Sequence, residues 1–332
     1  MQAIGTASGL RPGLLGATLI LRFLLPALAF SLIGVVLPGK VNAGSPTCTA
    51  STTSIAFGSV DVIAGAAVDT TATVTVTCSG GSGNGQRLCI SIGSGATFTG
   101  STRQLLGPNS ARLNYELYED AARTIPWGSW QTGWNSSGFQ TDVAQSSTTA
   151  TVVYARLFGS QQTALAGSYS SAFTANPYIQ YDDKGALSCP TGNKAVSNST
   201  TATATVVTSC TVSVTNLSFG TAGLLTSNID ATSSVAPQCT NGLPYTVSLD
   251  GGLTGANDPT QRKMTRTSEQ VTYGLYLNAA RSLPWGSTVG TNTASQTGTG
   301  LTQSIVVYGR IPPQTGRSPG TYTDSVVVTV IY

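Results

Sequence analysis

Short runs in which apolar and polar residues alternate recur along most of the chain, and this period of two predicts β-strands. One run reads Thr-Ala-Thr-Val-Thr-Val-Thr at residues 71–77, and similar runs occupy residues 88–92, 113–118 and 151–154. Glycine, asparagine and proline lie between them, as is typical of turns between antiparallel strands. No convincing helical period occurs. The pattern therefore predicts an all-β fold in which antiparallel strands form a β-sandwich.

A fifteen-residue motif occurs twice in the chain. Residues 115–129 and 273–287 are identical at ten of fifteen positions, and the offset of 158 residues is that of a domain. Trp127 and Trp285 lie in both copies of the motif and are expected to be buried, because features that both copies share should serve the shared fold. Two tandem sandwiches are therefore predicted. Other landmarks recur in the same order: Cys48 with Cys210, Phe57 with Phe219, Cys78 with Cys239, Tyr154 with Tyr308, and Tyr169 with Tyr322.

The first 43 residues have the pattern of a signal peptide. Arg11 and Arg22 precede an apolar run at residues 24–37, and residues 41–43 read Val-Asn-Ala, a small-residue cleavage pattern. A membrane anchor is the alternative, but the run is shorter than the roughly 20 residues that a spanning helix needs. Export through the periplasm and a mature chain that begins near Gly44 are therefore expected.

The charge balance of the chain changes when this segment is removed. The full sequence has 16 basic and 13 acidic residues, and the three basic residues of the segment leave with it, so that 13 of each remain. Charged residues make up 9% of the sequence, against about 25% in an average protein. A neutral surface with few charges attracts neither nucleic acid nor an anionic membrane, so neither is expected as a partner.

Six cysteines remain after cleavage, and an even number in an exported protein predicts disulfides. Two pairs occupy equivalent positions in the two copies, and each closes a loop of about 30 residues, which is worth about 3–4 kcal/mol. The other two cysteines have no counterpart in the second copy and are paired with each other. A zinc site is the alternative, but the sequence has no histidine and no Cys-x-x-Cys motif. The predicted disulfides are Cys48–Cys78, Cys210–Cys239 and Cys89–Cys189.

The two copies differ at their ends. After residues 173–181 the first copy has a loop and then an alternating run at residues 201–208, whereas the second copy runs from Tyr322 to Tyr332 with nothing that corresponds to residues 182–208. A sandwich without its last strand has an apolar groove and an unpaired edge, which another chain can fill. The side chains expected at this interface with a donor strand are Val326, Val328, Val330 and Tyr332.

Both copies resemble the spore coat protein U domain, which is found in pilins of the archaic chaperone-usher pathway. The resemblance rests on the signal peptide, the repeated cysteine pairs, the Phe-Gly pairs at residues 57–58 and 219–220, the Tyr-x-x-Tyr motifs and the alternating residues 326–332. It implies immunoglobulin-like sandwiches with no catalytic residues and no cofactor. It also implies three partners: a periplasmic chaperone that lends the missing strand, an outer-membrane usher, and a neighbouring pilin whose N-terminal extension replaces the chaperone.

Four segments follow from this interpretation. Residues 1–43 are the signal peptide, residues 44–181 an N-terminal adhesin domain, residues 182–208 a linker that can supply a donor strand to the first domain, and residues 209–332 a C-terminal pilin domain. Single-domain members of the family carry a donor extension before the first cysteine, whereas here only Gly-Ser-Pro-Thr precedes Cys48. A subunit that accepts a strand and gives none is expected at the pilus tip, on the cell surface, and the layout resembles that of tip adhesins.

Large aromatic side chains follow the Pro-Trp-Gly motif in the first copy only. They are Trp130, Trp134 and Phe139, and Phe98 lies in a second loop. Exposed apolar side chains usually mark a binding surface, so these four residues are the candidate adhesion site. The alternative is that the two tryptophans close the end of the sandwich. The expected target is an abiotic hydrophobic surface or a host glycan.

The sequence offers little for catalysis. It has no histidine, the commonest general base, and its cysteines are assigned to disulfides. Carboxylates such as Asp182 and Asp183 are adjacent in sequence, whereas a glycosidase needs two carboxyl groups that face each other across a cleft. An enzyme is therefore not expected. Three interpretations remain: an adhesive tip pilin, a structural coat or shaft subunit, and a carbohydrate-binding module.

Overall fold

The structure is a computed structural model, and it describes residues 44–332 except 82, 136, 186, 187, 192 and 193. The predicted signal peptide, residues 1–43, lies outside the described residues. Within the described part of the chain, no helix is long and apolar enough to cross a membrane. Regular structure is almost entirely β-sheet, which confirms the all-β prediction.

The first copy folds into two β-sheets. Its strands are β1 (Thr47–Thr52), β2 (Ile55–Val60), β3 (Val68–Ser79), β4 (Gln86–Ser91), β5 (Thr97–Thr99), β6 (Thr102–Leu106), β7 (Arg112–Tyr118), β8 (Phe139–Val143), β9 (Thr148–Leu157), β10 (Gly167–Phe173), β11 (Tyr178–Asp183), β12 (Lys194–Ser197) and β13 (Thr200–Val206). The larger sheet has the order β1-β3-β9-β7-β6-β10-β13-β2, with β5 paired to β6. The smaller sheet has the order β12-β11-β4-β8.

The second copy repeats this arrangement with fewer strands in the described residues. They are β14 (Cys210–Val214), β15 (Ile229–Cys239), β16 (Pro244–Leu249), β17 (Arg262–Arg266), β18 (Glu269–Tyr276), β19 (Ala294–Thr297), β20 (Ile305–Ile311) and β21 (Val328–Ile331). One sheet has the order β14-β15-β20-β18-β17, and the other β19-β16-β21. The chain is thus a pair of tandem sandwiches.

Alternation along the strands places every second side chain in the core. In β3, Val74, Val76 and Cys78 are buried, while the threonines between them are more exposed. Leu88 and Ile90 of the smaller sheet belong to the same buried cluster. Because burial stabilises by about 25 cal/mol per Å² of apolar surface, this face of each strand determines how the two sheets pack.

Trp127 and Trp285 are fully buried at equivalent positions, as the repeated motif predicts. Each indole Nε1–H donates a hydrogen bond to a backbone carbonyl oxygen, that of Ile90 at 3.1 Å and that of Val247 at 3.0 Å. A buried indole N–H needs such a partner, so these bonds orient both rings in the core.

Three disulfides are present among the described residues, and they are the pairs that the sequence indicates. Two of them join neighbouring strands, β1 with β3 and β14 with β15. The third joins β4 to the segment before β12, and the second copy has no equivalent of it. The bonded residues are Cys48–Cys78, Cys89–Cys189 and Cys210–Cys239.

Candidate functional site

One strand of the first copy lies between two others and joins them into one sheet. Along its whole length, β13 pairs antiparallel with β10, and on its other side it pairs parallel with β2. Its inward side chains, Ala202, Ala204 and Val206, are buried. Residues 182–208 therefore contribute β12 and β13 to the sheets of the first copy.

The equivalent place in the second copy is open. Residues 217–222 correspond to β2 and residues 320–326 to β10, yet neither stretch forms a strand. Among the described residues, only an isolated bridge between Thr265 and Thr323 ties the second stretch to a strand. Extended backbone needs partners for its N–H and C=O groups. In the first copy β13 pairs with both β2 and β10. The second copy has no described counterpart of β13, so its two equivalent stretches are irregular.

A cavity of about 470 Å³ marks this place, and we call it the second-copy groove. Residues around it are less covered than their counterparts: Phe57 is 4% exposed and Tyr169 1%, whereas Phe219 and Tyr322 are half-buried. Polar and apolar atoms contribute about equally to its wall. Other wall residues include Leu217, Leu249, Met264, Leu275, Val326 and Val328.

The four residues predicted for a donor-strand interface divide into two groups. Val326 and Val328 line the second-copy groove, and Val330 packs half-buried against the core of the second copy. Tyr332 is 58% exposed and does not line the groove. The inward face of residues 326–330 therefore contributes to the groove wall and the core beside it, whereas the last residue lies on the surface.

Phe98 and Trp134 form an aromatic pair at one end of the first copy. Phe98 lies in β5 and is 53% exposed, and its ring meets Trp134 edge to face with centroids 5.2 Å apart. Trp134 is half-buried, and its Nε1 has no hydrogen-bond partner among the described residues. The pair thus presents apolar ring surface at a place where two loops meet.

Trp130 and Phe139 have different surroundings. Trp130 is half-buried in the same loop as Trp134, and its backbone N–H donates to the Ser91 hydroxyl at 3.2 Å. Phe139 is the first residue of β8, and its ring lies 5.2 Å from that of Trp127, so it packs against the core. Of the four residues predicted for adhesion, the structure brings Phe98 and Trp134 into contact and places Trp130 in the adjoining loop.

A buried arginine lies beneath the aromatic pair. The Arg103 guanidinium is 5.6 Å from the centroid of the Trp134 ring, and it donates hydrogen bonds of 2.8 Å to the carbonyl oxygens of Gly93 and Trp127. It also forms an ion pair with Glu116. Burial lowers the pKa of Arg103 and raises the pKa of Glu116. Because the two charges compensate each other, the ion pair can stay buried. The hydrogen bonds of Arg103 then hold the segments that contain Gly93 and Trp127 against the interior of the sandwich.

The second copy retains this arginine but has no aromatic pair. Arg262 donates a hydrogen bond to the carbonyl oxygen of Trp285 at 2.8 Å, as its counterpart does in the first copy. Asn292 stands where Trp134 stands in the first copy, and its Oδ1 accepts a hydrogen bond from the Thr288 N–H at 2.8 Å. The aromatic surface is therefore a property of the first copy alone.

The aromatic pair and the second copy lie at opposite ends of β13. Thr200, at the start of β13, pairs with Phe173, whereas Val206, at its end, leads into the second copy. Gly93, which accepts a hydrogen bond from the arginine beneath the aromatic pair, donates its own N–H to Asn176 Oδ1 at 3.1 Å. Asn176 follows Phe173 closely in sequence. The aromatic surface therefore lies at the end of the first copy that points away from the junction.

Sequence reasoning missed two residues of these sites. Arg103 lies outside the repeated fifteen-residue motif, and only its recurrence as Arg262 could have marked it. Asp324 lines the second-copy groove at the position of Ser171 in the first copy. A residue-by-residue comparison of the segments that follow Tyr169 and Tyr322 would have found this difference.

Two regions of the chain match a known family model. The model of the Spore Coat Protein U domain matches residues 41–176 and 196–329. The chain belongs to this family. Among curated relatives of this spore coat protein U domain protein, Protein U of Myxococcus xanthus is 33% identical over 107 residues. The aligned part is 30% of this chain and spans 59% of that relative's length.

Solved structures are similar to this spore coat protein U domain protein. A chain of the CsuC-CsuE chaperone-tip adhesion subunit pre-assembly complex, from archaic chaperone-usher Csu pili of Acinetobacter baumannii, matches with a TM-score of 0.52 at 16% identity. The match covers 86% of this chain and 100% of that chain. The CupB6 tip adhesin from Pseudomonas aeruginosa has a TM-score of 0.40 at 11% identity, with 86% and 94% covered. At 16% identity, the first likeness establishes a common fold.

Proposed function

We propose that this protein is the tip adhesin of a secreted chaperone-usher pilus, through which cells attach to surfaces and form biofilms. The contrast between the two copies carries the proposal: β13 fills the first copy from within the chain, whereas the second-copy groove is open. The first copy is then available for adhesion, and the second joins the subunit to the fibre. Family membership and the shared fold support this assignment.

The second-copy groove accepts a donor strand, first from a periplasmic chaperone and then from the next pilin, which is added at an outer-membrane usher. A strand placed between residues 217–222 and residues 320–326 would pair backbone groups that β13 pairs in the first copy. Val326 and Val328 offer apolar surface to such a strand. Each Å² of apolar surface that the strand covers is worth about 25 cal/mol.

The aromatic pair and Trp130 form the adhesive surface, and its target is an abiotic hydrophobic surface. An exposed phenyl ring is costly to keep in water, and contact with an apolar surface removes that cost. Aromatic side chains bury 150–250 Å² each when fully covered, so partial coverage of three rings supplies on the order of a few kcal/mol per tip. The balanced charge of the mature chain supports an apolar target over a charged one.

Replacement of Trp130 and Trp134 by alanine tests this proposal. The double variant should assemble into pili in normal number and lose attachment to polystyrene at least about tenfold, since 1.4 kcal/mol corresponds to a factor of ten. The measurement is attachment per assembled pilus, with fibre number taken from an immunoblot of the shaft subunit. A glycan panel is tested in parallel, and binding there that depends on the same residues would identify a glycan adhesin instead.

Two controls separate adhesion from folding. Thr288→Ala with Val289→Ala changes the equivalent loop of the second copy and should leave attachment unchanged. Trp127→Ala removes a fully buried ring, should cost about 3–5 kcal/mol, and should reduce subunit yield. If pili with alanine at residues 130 and 134 assembled fully and attached normally, the aromatic surface would not be the adhesive one.

A further inference from the structure

The first copy supplies a template for how a strand sits in the second-copy groove. In the first copy Ser171 is directly opposite Ala202 of β13, and both side chains are buried. Tyr169, two residues earlier, corresponds to Tyr322, so Ser171 corresponds to Asp324. A strand with the orientation of β13 would run antiparallel to residues 320–326. It would therefore place one inward residue opposite Asp324.

The equivalence of these positions rests on contacts that both copies make. The Tyr169 hydroxyl donates to the carbonyl oxygen of Leu165 at 2.8 Å, and the Tyr322 hydroxyl lies 2.9 Å from the equivalent carbonyl oxygen of Ser318, although it donates to Glu269 Oε2 at 2.6 Å. The single bridge from Thr323 to β17 likewise matches the single pair between β10 and β6. The register of the groove wall is therefore the same in both copies.

Asp324 is held firmly at the base of the groove. Its Oδ2 accepts a hydrogen bond from the Tyr273 hydroxyl at 2.6 Å, and its Oδ1 accepts from the backbone N–H groups of Leu253 at 2.8 Å and Ser325 at 2.9 Å. The Gly252 backbone, with a φ of +72°, approaches so closely that a β-carbon there would collide with the carboxylate. Burial and the neighbouring Asp324 raise the pKa of Tyr273, which therefore remains a donor.

The carboxylate is not saturated by these three bonds. Two carboxylate oxygens offer about four acceptor sites, so one site remains in the described structure. A strand that covers the groove takes this carboxylate out of water. Covering it costs free energy unless the incoming strand supplies a donor, and an acidic residue beside it adds repulsion. In the first copy the same position holds a serine and imposes no such requirement.

We propose that Asp324 selects the strand that the second-copy groove accepts, a proposal that rests on the strand-acceptor role given above. The accepted strand belongs to a neighbouring pilin subunit and carries a hydrogen-bond-donating side chain, Ser, Thr or Lys, opposite Asp324. An acidic residue at that one position is rejected. The remaining inward positions take apolar residues, as in β13.

A chain that carries its own donor tests the inference. Residues 44–332 are extended after Tyr332 by a flexible linker as long as residues 184–199 and then by a copy of residues 200–208. Three versions carry Ser, Ala or Glu at the copied position of Ala202. Hydrogen exchange of residues 320–326 is measured, with β10 of the same molecule as the internal reference for a fully paired strand.

With Ser at the copied position, residues 320–326 should approach the protection of β10. With Glu they should exchange at least tenfold faster than with Ser, and with Ala the rate should fall between the two. In Asp324→Ser, which installs the residue of the first copy, the ratio of the Glu rate to the Ser rate should be at least threefold smaller, because only the cost of burying the Glu charge remains. If Asp324→Ser does not fold, Asp324→Asn gives the same comparison, because its side-chain oxygen can still accept from the N–H groups of Leu253 and Ser325.

Two results overturn the inference in different ways. A ratio of the Glu rate to the Ser rate that is unchanged by Asp324→Ser would remove the selective role of Asp324 and leave the groove a strand acceptor. If no version protected residues 320–326, the groove would not accept a strand, and the proposed function of the second copy would fall with it.

Discussion

Arg103 shows how one residue places the aromatic surface of the first copy. Its guanidinium binds backbone carbonyl oxygens of two loops and lies beneath Trp134. Arg262 makes the equivalent contact with Trp285 in the copy that has no aromatic pair. The arginine therefore belongs to the shared fold, and the aromatic residues are an addition to a loop that this fold already holds in place.

Asp142 should govern part of the acid sensitivity of the first copy. Arg87, its direct neighbour across the β4–β8 pair, donates two hydrogen bonds to its carboxylate and lowers the pKa of Asp142 to about 2. Because the unfolded value is about 3.9, the stabilisation is complete above about pH 4 and is lost as the pH falls toward 2. Solvent screens this surface pair, so its size is about 1 kcal/mol or less.

Thermal unfolding between pH 5 and pH 2 checks this prediction. The midpoint of Asp142→Asn should be slightly below that of the wild type at pH 5 and should approach it as the pH falls. Arg87→Met removes the donor and should behave in the same way. If the wild-type midpoint and those of both variants fell in parallel over this range, Asp142 would not contribute to acid sensitivity.

Among the elements of the chain, β13 has the largest consequence for the first copy. It pairs along both edges and buries three side chains. Residues 44–208 expressed in the periplasm should therefore fold as a soluble, cooperative unit, because the groove of this copy is filled from within. Residues 44–199 lack only β13 and should aggregate or lose cooperative melting in scanning calorimetry.

A pair of adjacent substitutions serves as the control for this prediction. Ala204→Asp puts a charge into the buried face of β13 and should reproduce the truncation, because an unpaired buried charge costs several kcal/mol. Thr205→Asp puts the same charge on the exposed face and should be tolerated. Equal solubility of residues 44–199 and 44–208 would mean that β13 acts only as a connection.

On the scale of the whole molecule, a short junction joins the two copies. The Val207 N–H donates to the carbonyl oxygen of Val60, and the Ser209 hydroxyl donates to Asp61 at 2.9 Å. Across the junction, the Asn241 side-chain amide donates to the carbonyl oxygen of Thr163 at 2.7 Å. These contacts restrict relative motion of the two copies.

Removal of the junction contacts should loosen this connection. Asn241→Ala with Ser209→Ala should broaden the distance distribution between a spin label on each copy and leave the melting of the first copy unchanged. Both lost bonds lie near the surface and are worth about 0.5–1.5 kcal/mol each. Thr211→Ala, on an exposed residue of β14, is the control. An unchanged distribution would show that the connecting residues alone hold the copies in place.

Local pattern predicted much of the fold and part of the site. Strand periodicity, the internal repeat and the cysteine positions are properties of short segments, and they indicated tandem sandwiches, the buried tryptophans and the cystine pairs. Aromatic residues after Pro-Trp-Gly pointed to one end of the first copy. The surroundings of Phe139 did not follow from the pattern, because its ring packs on Trp127 only where β8 pairs with β4.

The sequence by itself determined which segments can form strands, and it marked residues 201–208 as an alternating run after the first copy. Only the tertiary structure decided what that run does. Residues 320–326 alternate as β10 does, yet they stay irregular, because strand hydrogen bonds need a partner and β13 supplies one to the first copy alone. Contacts such as Phe98 with Trp134 and Asp324 with Tyr273 likewise join residues far apart in sequence. Such pairs become neighbours only after the sheets have packed.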